Sequence, residues 1–303
     1  MRAAALLFSL LLAGAAAPAL AQTSGSEGMS ERDKAMAELP PDAAKRLFGQ
    51  VARPAPLEAR SIGAYSRGCL AGAVAMPVDG PAWQVMRLTR NRNWGHPELI
   101  AFLERLATAG KRVGWPGLLV GDMSQPRGGP MLTGHASHQI GLDADVWLTQ
   151  MPNRTLSRLE REETSATDVV REDKLDVNSN WTSAHHNMIR SVAKEPQVQR
   201  IFVNPAIKKA LCRDAGSDRA WLNKVRPMWG HNYHFHIRLS CPPGQSDCQA
   251  QDPTPPGDGC DSSLAWWFKP EVLHPKPNPF AKPKPPMTMA ALPGECRAVL
   301  GAR

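Results

Sequence analysis

Two short segments of this chain alternate hydrophobic and polar residues, which is the pattern of a β-strand with two different faces. Residues 142–148 place four hydrophobic side chains on one face, namely Leu142, Ala144, Val146 and Leu148. The other face carries Asp143, Asp145 and Trp147. Residues 234–239 repeat the alternation, and their polar face carries His234, His236 and Arg238. We therefore predict two strands that each present titratable side chains on one side.

The rest of the pattern predicts helices and further strands between long loops. Residues 96–110 have leucines at helical spacing, Pro97 in the first turn and a terminal glycine, which predict an amphipathic helix. Residues 117–121 are typical of a short buried strand, and the Gly- and Pro-rich residues 122–134 of a loop. Further helices are predicted at residues 184–195, 205–212 and 218–224, and a strand at residues 200–203. This mixture predicts an α+β domain with a mostly antiparallel central sheet flanked by helices and long loops.

Composition divides the chain into four parts. A basic start, an apolar run and an A-x-A ending predict a secretory signal peptide over residues 1–21, and an uncleaved anchor is the alternative. Residues 22–60 are polar and are expected to form a partly disordered extension. Residues 61–268 carry the patterned sequence of one folded domain. Residues 269–303 are rich in Pro and Lys, which is typical of an extended strap, and we expect Cys296 to tether this strap to the domain.

The six cysteines indicate disulfides in an oxidising compartment, because the chain has no C-x-x-C pair of the kind that binds zinc. Cys241 and Cys248 are close enough for a local loop, and Cys69 and Cys296 bracket the patterned sequence, but spacing alone does not choose the pairs. No segment after the signal peptide is apolar enough for stable membrane insertion. The net charge of +8 suggests an anionic partner. Nucleic acid is one candidate, but an exported protein meets anionic envelope polymers first.

Histidines cluster at the two alternating segments. Five of the nine in the chain fall there, at positions 135, 138, 231, 234 and 236. If the two strands are neighbours, His138, Asp145 and one of the pair His234/His236 can converge on one divalent ion. Two imidazoles and a carboxylate leave a tetrahedral Zn²⁺ with an open position, which is typical of a catalytic zinc. Such an ion lowers the pKa of bound water and polarises a carbonyl, and the other histidine of the pair is then free for proton transfer.

These residues also have simpler interpretations. A histidine on a strand usually fills a core or surface position, and an aspartate near a glycine usually marks a turn. The clustering of ligand types favours the metal site.

For the charged residues 151–180, a solvent-exposed face is favoured over a role in the site. Their carboxylates could reach the cleft, but a charged run is typically a solvated face.

At these motifs the chain resembles the penicillin-insensitive murein endopeptidases, which belong with lysostaphin-type enzymes, D-alanyl-D-alanine carboxypeptidases and hedgehog domains. The motifs are GHASHQIGLDADVWL, RIFVNPAIKKALC, KVRPMWGH, HFHIRLSCP, GHPELI and GDGC. The likeness runs from about Ser61 to Cys296. The resemblance implies the fold shared by hedgehog domains and D-Ala-D-Ala peptidases.

The resemblance also implies roles for individual residues. His138, Asp145 and His236 would hold the zinc, His234 would be the catalytic base or transition-state stabiliser, and His135 and His231 would line the cleft. Some relatives carry a second metal, for which the candidates here are His135, Asp173 and Asp176. Asp173 matches the family's aspartate, but no histidine follows at the matching place and Asp176 stands nearest. The implied disulfides are Cys69–Cys296, Cys212–Cys260 and Cys241–Cys248.

The activity implied by the resemblance is hydrolysis of the D-alanyl–meso-diaminopimelyl crosslinks of peptidoglycan in the periplasm. Water activated by zinc would attack the scissile carbonyl without an acyl-enzyme, which accounts for insensitivity to β-lactams. A D,D-carboxypeptidase or dipeptidase of the same fold is the nearest alternative. A non-catalytic wall-binding module and a zinc nuclease are further alternatives, although no nucleic-acid partner is expected. The sequence does not indicate an oligomeric state.

Overall fold

The structure is a computed structural model that describes residues 31–282 and 284–303. The predicted signal peptide therefore lies outside the described residues. Within the described part, no helix combines the length and the apolar character that are needed to cross a bilayer.

A seven-stranded mixed sheet forms the centre of the molecule, and two small antiparallel pairs accompany it. The strands are β1 Arg60–Ala64, β2 Arg67–Ala71, β3 Val74–Ala75, β4 Asp79–Gly80, β5 Trp83–Val85, β6 Trp94–Gly95, β7 Leu118–Val120, β8 Asp143–Trp147, β9 Val198–Val203, β10 Val225–Pro227 and β11 His234–Leu239. The central order is β10-β9-β11-β8-β7-β5-β4. The β9–β10 and β5–β7 pairs are parallel and the others are antiparallel. The predicted α+β class is confirmed, with a sheet that is mixed rather than purely antiparallel.

Helices pack along the sheet and in the connections between strands. They are α1 Glu31–Ala37, α2 Ala44–Gly49, α3 Pro97–Gly110, α4 Arg158–Glu163, α5 Ser183–Lys194, α6 Pro205–Asp214, α7 Ser262–Ala265, α8 Pro270–Leu273 and α9 Glu295–Gly301. Short 3-10 turns cover Leu88–Arg90, Lys111–Val113, Ala220–Lys224, Trp266–Phe268 and Met289–Ala291. The helix predicted at residues 218–224 is therefore one of these 3-10 turns.

The two faces of the sheet have different roles. One face joins the main hydrophobic core with α3, α5 and α6, and its strand residues include Val120, Ala144, Val146, Phe235 and Ile237. The opposite face of β8 and β11 carries the aspartates and histidines, because side chains alternate along a strand. Both strands are nevertheless buried throughout. The polar face therefore lies inside the protein and forms the floor of a site.

The segments near the two ends of the described chain pack on each other. A second hydrophobic cluster joins Phe48 of α2, Ile62 of β1 and Val299 of α9. Phe48 is 1 % exposed, so part of the segment that we expected to be an extension is packed against the body. Arg127 donates to the carbonyls of Arg53 and Val299, at 3.1 and 2.9 Å, and so joins both segments to the loop before the site.

Three disulfides fix this arrangement. They join Cys69 to Cys296, Cys212 to Cys260 and Cys241 to Cys248, which are the pairs that the resemblance implies. No cysteine among the described residues is free. The first bond holds the C-terminal helix on β2, so only part of the Pro- and Lys-rich strap is an extended connection.

Candidate metal centre

The pairing of β8 with β11 brings the two alternating segments together. The strands are antiparallel neighbours, with His236 opposite Asp145 and Arg238 opposite Asp143. Residues that face each other in such a ladder have Cβ atoms about 5 Å apart, so their side chains interact. The predicted meeting of these two segments is confirmed.

A left-handed turn delivers His138 to the same point. The backbone of His138 has φ +66°, and its N–H donates to Asp143 Oδ2 at 3.0 Å. Its Nδ1 donates to the Met123 carbonyl at 2.8 Å, so the free lone pair of the imidazole is on Nε2. Gly141 is required in this turn, because it has φ +73° and an added Cβ would lie 2.5 Å from Leu70.

Asp145 lies at the centre of four imidazoles. Its Oδ1 is 3.4 Å from His138 Nε2 and 3.5 Å from His236 Nδ1. Its Oδ2 is 3.5 Å from His135 Nδ1 and 3.5 Å from His234 Nε2. These separations are longer than good hydrogen bonds. The four rings therefore surround the carboxylate in two pairs, one pair for each oxygen.

The donor atoms around Oδ1 fit a bound cation. His138 Nε2 and Asp145 Oδ1 are buried and make no hydrogen bond. Buried polar atoms are rarely left without a partner, and an ion would satisfy both. In a tetrahedral shell with bonds of about 2.1 Å, neighbouring ligand atoms lie about 3.4 Å apart. The separations from Oδ1 to the two imidazoles match that spacing.

Two sets of three ligands share His138 and Asp145. The first set adds His236, which the resemblance implies as a ligand, through its Nδ1. The second adds His135, and its ligand atoms all lie within 4.8 Å of one another. His135 is also engaged elsewhere, since its Nε2 is 2.9 Å from Asp122 Oδ2. The described residues therefore bring His135, His138 and Asp145 into one group that could hold an ion, and His236 contacts the same carboxylate without belonging to that group.

Asp143 supports the site from beneath. It is 0 % exposed and receives two bonds from the Arg238 guanidinium, at 2.8 and 3.1 Å. Its Oδ1 also lies 3.0 Å from His236 Nε2, without the alignment of a hydrogen bond. The same carboxylate thus contacts His236 and the backbone of His138, which ties two candidate ligands to one buried ion pair.

The pKa values of Asp145 and His236 suit metal binding. Burial alone would raise the pKa of Asp145, but the surrounding histidines, led by His234, hold that pKa well below its usual range. Burial lowers the pKa of His236 to about 4, against the carboxylates of Asp143 and Asp145. For His138, burial is outweighed by Asp145 and the pKa is raised. At neutral pH the centre therefore offers an ionised carboxylate and a neutral His236.

An open cleft of about 880 Å³ lies beside the centre, and it shares His135 and His234 with an adjoining pocket of about 300 Å³ that Asp145 lines. Thr133, Gly134 and His135 line one side, and His231, Tyr233 and His234 line the other. Burial lowers the pKa of His234, and burial together with the neighbouring His234 and His236 lowers that of His231 to about 4. His231 Nδ1 donates to the Trp229 carbonyl at 3.0 Å. Both imidazoles are therefore neutral at neutral pH and can accept a proton.

The candidates for a second metal are placed differently. Among the described residues, the only group of ligand-type side chains close enough to hold an ion is the one that contains His135, His138 and Asp145. Asp173 is paired with Arg171, and Asp176 accepts two bonds from Arg213, at 2.9 and 3.1 Å. Their carboxylates are thus engaged at the surface, and the structure does not bring them to His135.

Asp122 is a site residue that the sequence pattern did not single out. It follows β7 and is 4 % exposed, and its Oδ2 receives bonds from Arg90 at 3.0 Å and Arg92 at 2.8 Å. The same oxygen contacts His135. Burial is outweighed by His135 and the two arginines, which keep the pKa of Asp122 below its usual value. Its position directly after a buried strand was the one signal available in the sequence.

Comparison with known proteins gives a consistent result. The family model described as penicillin-insensitive murein endopeptidase matches residues 61–301. A curated protein of that name from Haemophilus influenzae is 48 % identical over 239 residues, which are 78 % of this chain and 82 % of the relative. One from Klebsiella pneumoniae subsp. pneumoniae is 44 % identical over 252 residues, covering 83 % and 89 %. One from Yersinia enterocolitica is 41 % identical over 267 residues, covering 88 % and 94 %.

Proposed function

Because this chain belongs to the penicillin-insensitive murein endopeptidase family, we propose that it is a zinc peptidase that hydrolyses D-alanyl–meso-diaminopimelyl crosslinks in peptidoglycan. Family membership makes it a murein endopeptidase, and the proposal adds the metal, the bond that is cleaved and the residues that act. The observation that carries the proposal is the buried, unpartnered pair His138 Nε2 and Asp145 Oδ1, together with the pocket that Asp145 lines beside His135 and His234.

In this proposal His138, Asp145 and His236 hold the ion. His236 is preferred to His135 as the third ligand, because His236 Nδ1 and His138 Nε2 both face the same oxygen of Asp145. His135 faces the other oxygen and is held by Asp122. When bound, the ion supplies Lewis-acid chemistry that polarises the scissile carbonyl and makes water more acidic. Imidazole and carboxylate donors suit zinc, and three protein ligands would leave a fourth position for water or substrate.

His234 is the proposed proton carrier. It lines the cleft, its side chain is 10 % exposed, and its Nε2 lies 3.5 Å from Asp145 Oδ2. Since burial lowers its pKa, its imidazole is neutral at neutral pH and can take a proton from the attacking water. It can then return that proton to the departing amine of diaminopimelate. The cleft histidines His135 and His231 would orient the substrate on either side.

The disulfides indicate the compartment in which the protein acts. All three disulfides persist in oxidising space, and one of them closes the hydrophobic cluster next to the cleft. We therefore propose that the protein acts in the periplasm after cleavage of residues 1–21. The net charge of +8 of the full sequence owes only Arg2 to that segment, so the chain that remains is basic and favours docking on the anionic sacculus.

Digestion of a defined crosslinked muropeptide dimer tests this function. We expect the purified protein to release two monomers, one ending in D-alanine and the other with a free diaminopimelate amine. Treatment with a chelator should abolish cleavage, and added Zn²⁺ should restore it where Ca²⁺ does not. Removal of only a terminal D-alanine, or cleavage that survives removal of all metal, would refute the proposal.

A further inference from the structure

A second groove lies beside the metal cleft, on the other side of the segment that carries His231. Its volume is about 400 Å³, which is in the range of small-ligand sites. Trp229 and Gly230 line both the groove and the cleft, whereas Asn232 faces the groove alone and His231 the cleft alone. A peptide substrate that lies across this segment would therefore contact both the groove and the cleft.

The groove is a built structure with three walls. The loop of residues 168–174 forms one wall, the segment around Trp229 the second, and Val272, Leu273 and Pro275 the third. Asn232 donates to Asp168 Oδ2, and its carbonyl accepts from Val169 N at 3.0 Å. These bonds fix the loop against the segment next to the site. The groove thus does not depend on an unanchored surface loop.

Lys174 is held over the groove in an unfavourable backbone conformation. Its φ is +60°, where a residue with a side chain is strained and glycine is not. Its ammonium lies 5.9 Å from the centre of the Trp229 ring, and no salt bridge among the described residues includes it. Strained residues of this kind concentrate at functional sites. A purely structural turn would be better served by glycine at this position.

The groove also carries an unmatched carboxylate. Glu172 lines it and takes part in no salt bridge within the described part of the chain. Of the other charged groups of the lining, Arg171 is paired with Asp173, and Asp168 has no salt bridge among the described residues but accepts from Asn232 and from Val170 N. Among the described residues the groove therefore offers one ammonium without a salt bridge, on Lys174, and one carboxylate with neither a salt bridge nor a hydrogen bond, on Glu172, beside an apolar wall. Such a surface complements a zwitterion on an aliphatic side chain.

We propose that this groove binds the free amino-carboxylate end of the diaminopimelate that precedes the scissile D-alanine. The inference rests on the function proposed above. In a crosslink, the donor diaminopimelate keeps both its ammonium and its carboxylate, whereas the amine of the acceptor is consumed in the scissile amide. Only the donor residue thus presents both charges. The Lys174 ammonium pairs with the carboxylate of this residue, and the Glu172 carboxylate pairs with its ammonium. Leu273 packs on its methylene groups.

Three synthetic crosslinked peptides that differ only in this donor residue test the proposal. The first carries diaminopimelate, the second carries lysine, which lacks the carboxylate, and the third carries norleucine, which lacks both charges. Lys174→Gly should lower kcat/KM for the first peptide about tenfold and leave the other two unchanged. Glu172→Gln should lower kcat/KM for the first and second peptides and leave the third unchanged. The glycine variant suits the left-handed turn, so its fold is retained.

Lys111→Gly is the control for loss of an exposed lysine, since Lys111 lines neither the groove nor the cleft, and it should change none of the three rates. Equal losses on all three peptides, or no loss on any, would overturn the assignment of the groove while cleavage by the wild type still stands. If the wild-type protein cleaves none of the peptides between D-alanine and the acceptor, the proposed function itself is wrong and the groove assignment fails with it.

Discussion

His236 lies directly opposite Asp145 in the β8–β11 ladder, with Nδ1 of its imidazole 3.5 Å from Oδ1 of the carboxylate. His138 reaches the same oxygen from a separate loop, at 3.4 Å. Two segments of the chain therefore supply donors to one point, and that point lies on the buried polar face of a sheet. The choice of ligands and the support beneath them can both be tested.

Single alanine variants distinguish the two possible sets of ligands. We expect His236→Ala and His138→Ala to lose bound zinc and activity, because each removes a donor that faces Asp145 Oδ1. His135→Ala should keep its zinc, because His135 faces the other oxygen and contacts Asp122. Metal content of the purified variants, measured by mass spectrometry, decides between them. His274→Ala, which changes an exposed histidine, is the control. Zinc that is retained without His236 and lost without His135 would reverse the assignment.

Asp143→Asn should weaken metal binding without removing a ligand. Asp143 contacts His236 Nε2 and accepts from the backbone of His138, so its charge orients both imidazoles. Loss of such a supporting carboxylate typically costs about 10- to 100-fold in metal affinity. Competition with a chromophoric chelator measures this change, and circular dichroism checks that the variant is folded. A folded variant with unchanged affinity would show that Asp143 serves only its pair with Arg238.

His234→Ala should separate proton transfer from metal binding. We expect the variant to keep its zinc, while kcat falls about 10²- to 10⁴-fold and KM changes little. The reason is that His234 faces Asp145 Oδ2 and the cleft, away from the oxygen that the proposed ligands share. Steady-state kinetics on the crosslinked dimer, together with metal content, provide the comparison. Simultaneous loss of zinc would instead make His234 a ligand.

The parts of the candidate site that a sequence can predict are local patterns. Alternation in residues 142–148 and 234–239 fixes which side chains share a face, and Gly141 marks the turn that returns His138 to the strand. The helix at residues 96–110 was predictable for the same reason, since Pro97 and the leucines lie within one short window. In each case the determinant is periodicity over a few residues, which a single sequence displays.

Other features depend on contacts between distant segments, which periodicity does not reveal. Asp122 is a site residue only because Arg90, Arg92 and His135 meet it, and they come from two other segments. Phe48 is buried by residues near the opposite end of the chain, such as Met289 and Val299. The polar composition of its own segment predicted a partly disordered extension instead.

The disulfide between Cys69 and Cys296 should contribute more stability than the one between Cys241 and Cys248. The first closes a separation of 227 residues and the second a separation of 7. Constraining the unfolded chain is worth about 5 kcal/mol for the long loop and about 2 kcal/mol for the short one. Urea unfolding of the two double serine variants measures the difference. Equal losses would mean that the long bond acts on the folded state rather than on the unfolded chain.

Lys208 should make the free energy of unfolding increase with pH above neutrality. It is 0 % exposed, and its ammonium donates to the carbonyls of Leu222 and Asp258, at 2.8 and 2.6 Å. Burial, reinforced by the nearby Arg226, lowers its pKa from 10.5 to about 7. Between these two values the unfolded chain binds the proton and the folded protein does not, so folding is favoured as the pH rises. From pH 6 to pH 9 the gain is at most about 3 kcal/mol.

Urea unfolding of the wild type and of Lys208→Met at both pH values isolates this group, because the variant lacks the titratable amine but keeps every other titratable group. The variant also leaves two carbonyls without their donor, which lowers its stability equally at both pH values. We therefore expect the stability difference between wild type and variant to widen in favour of the wild type at pH 9. A difference that does not change with pH would mean that Lys208 stays protonated in the fold.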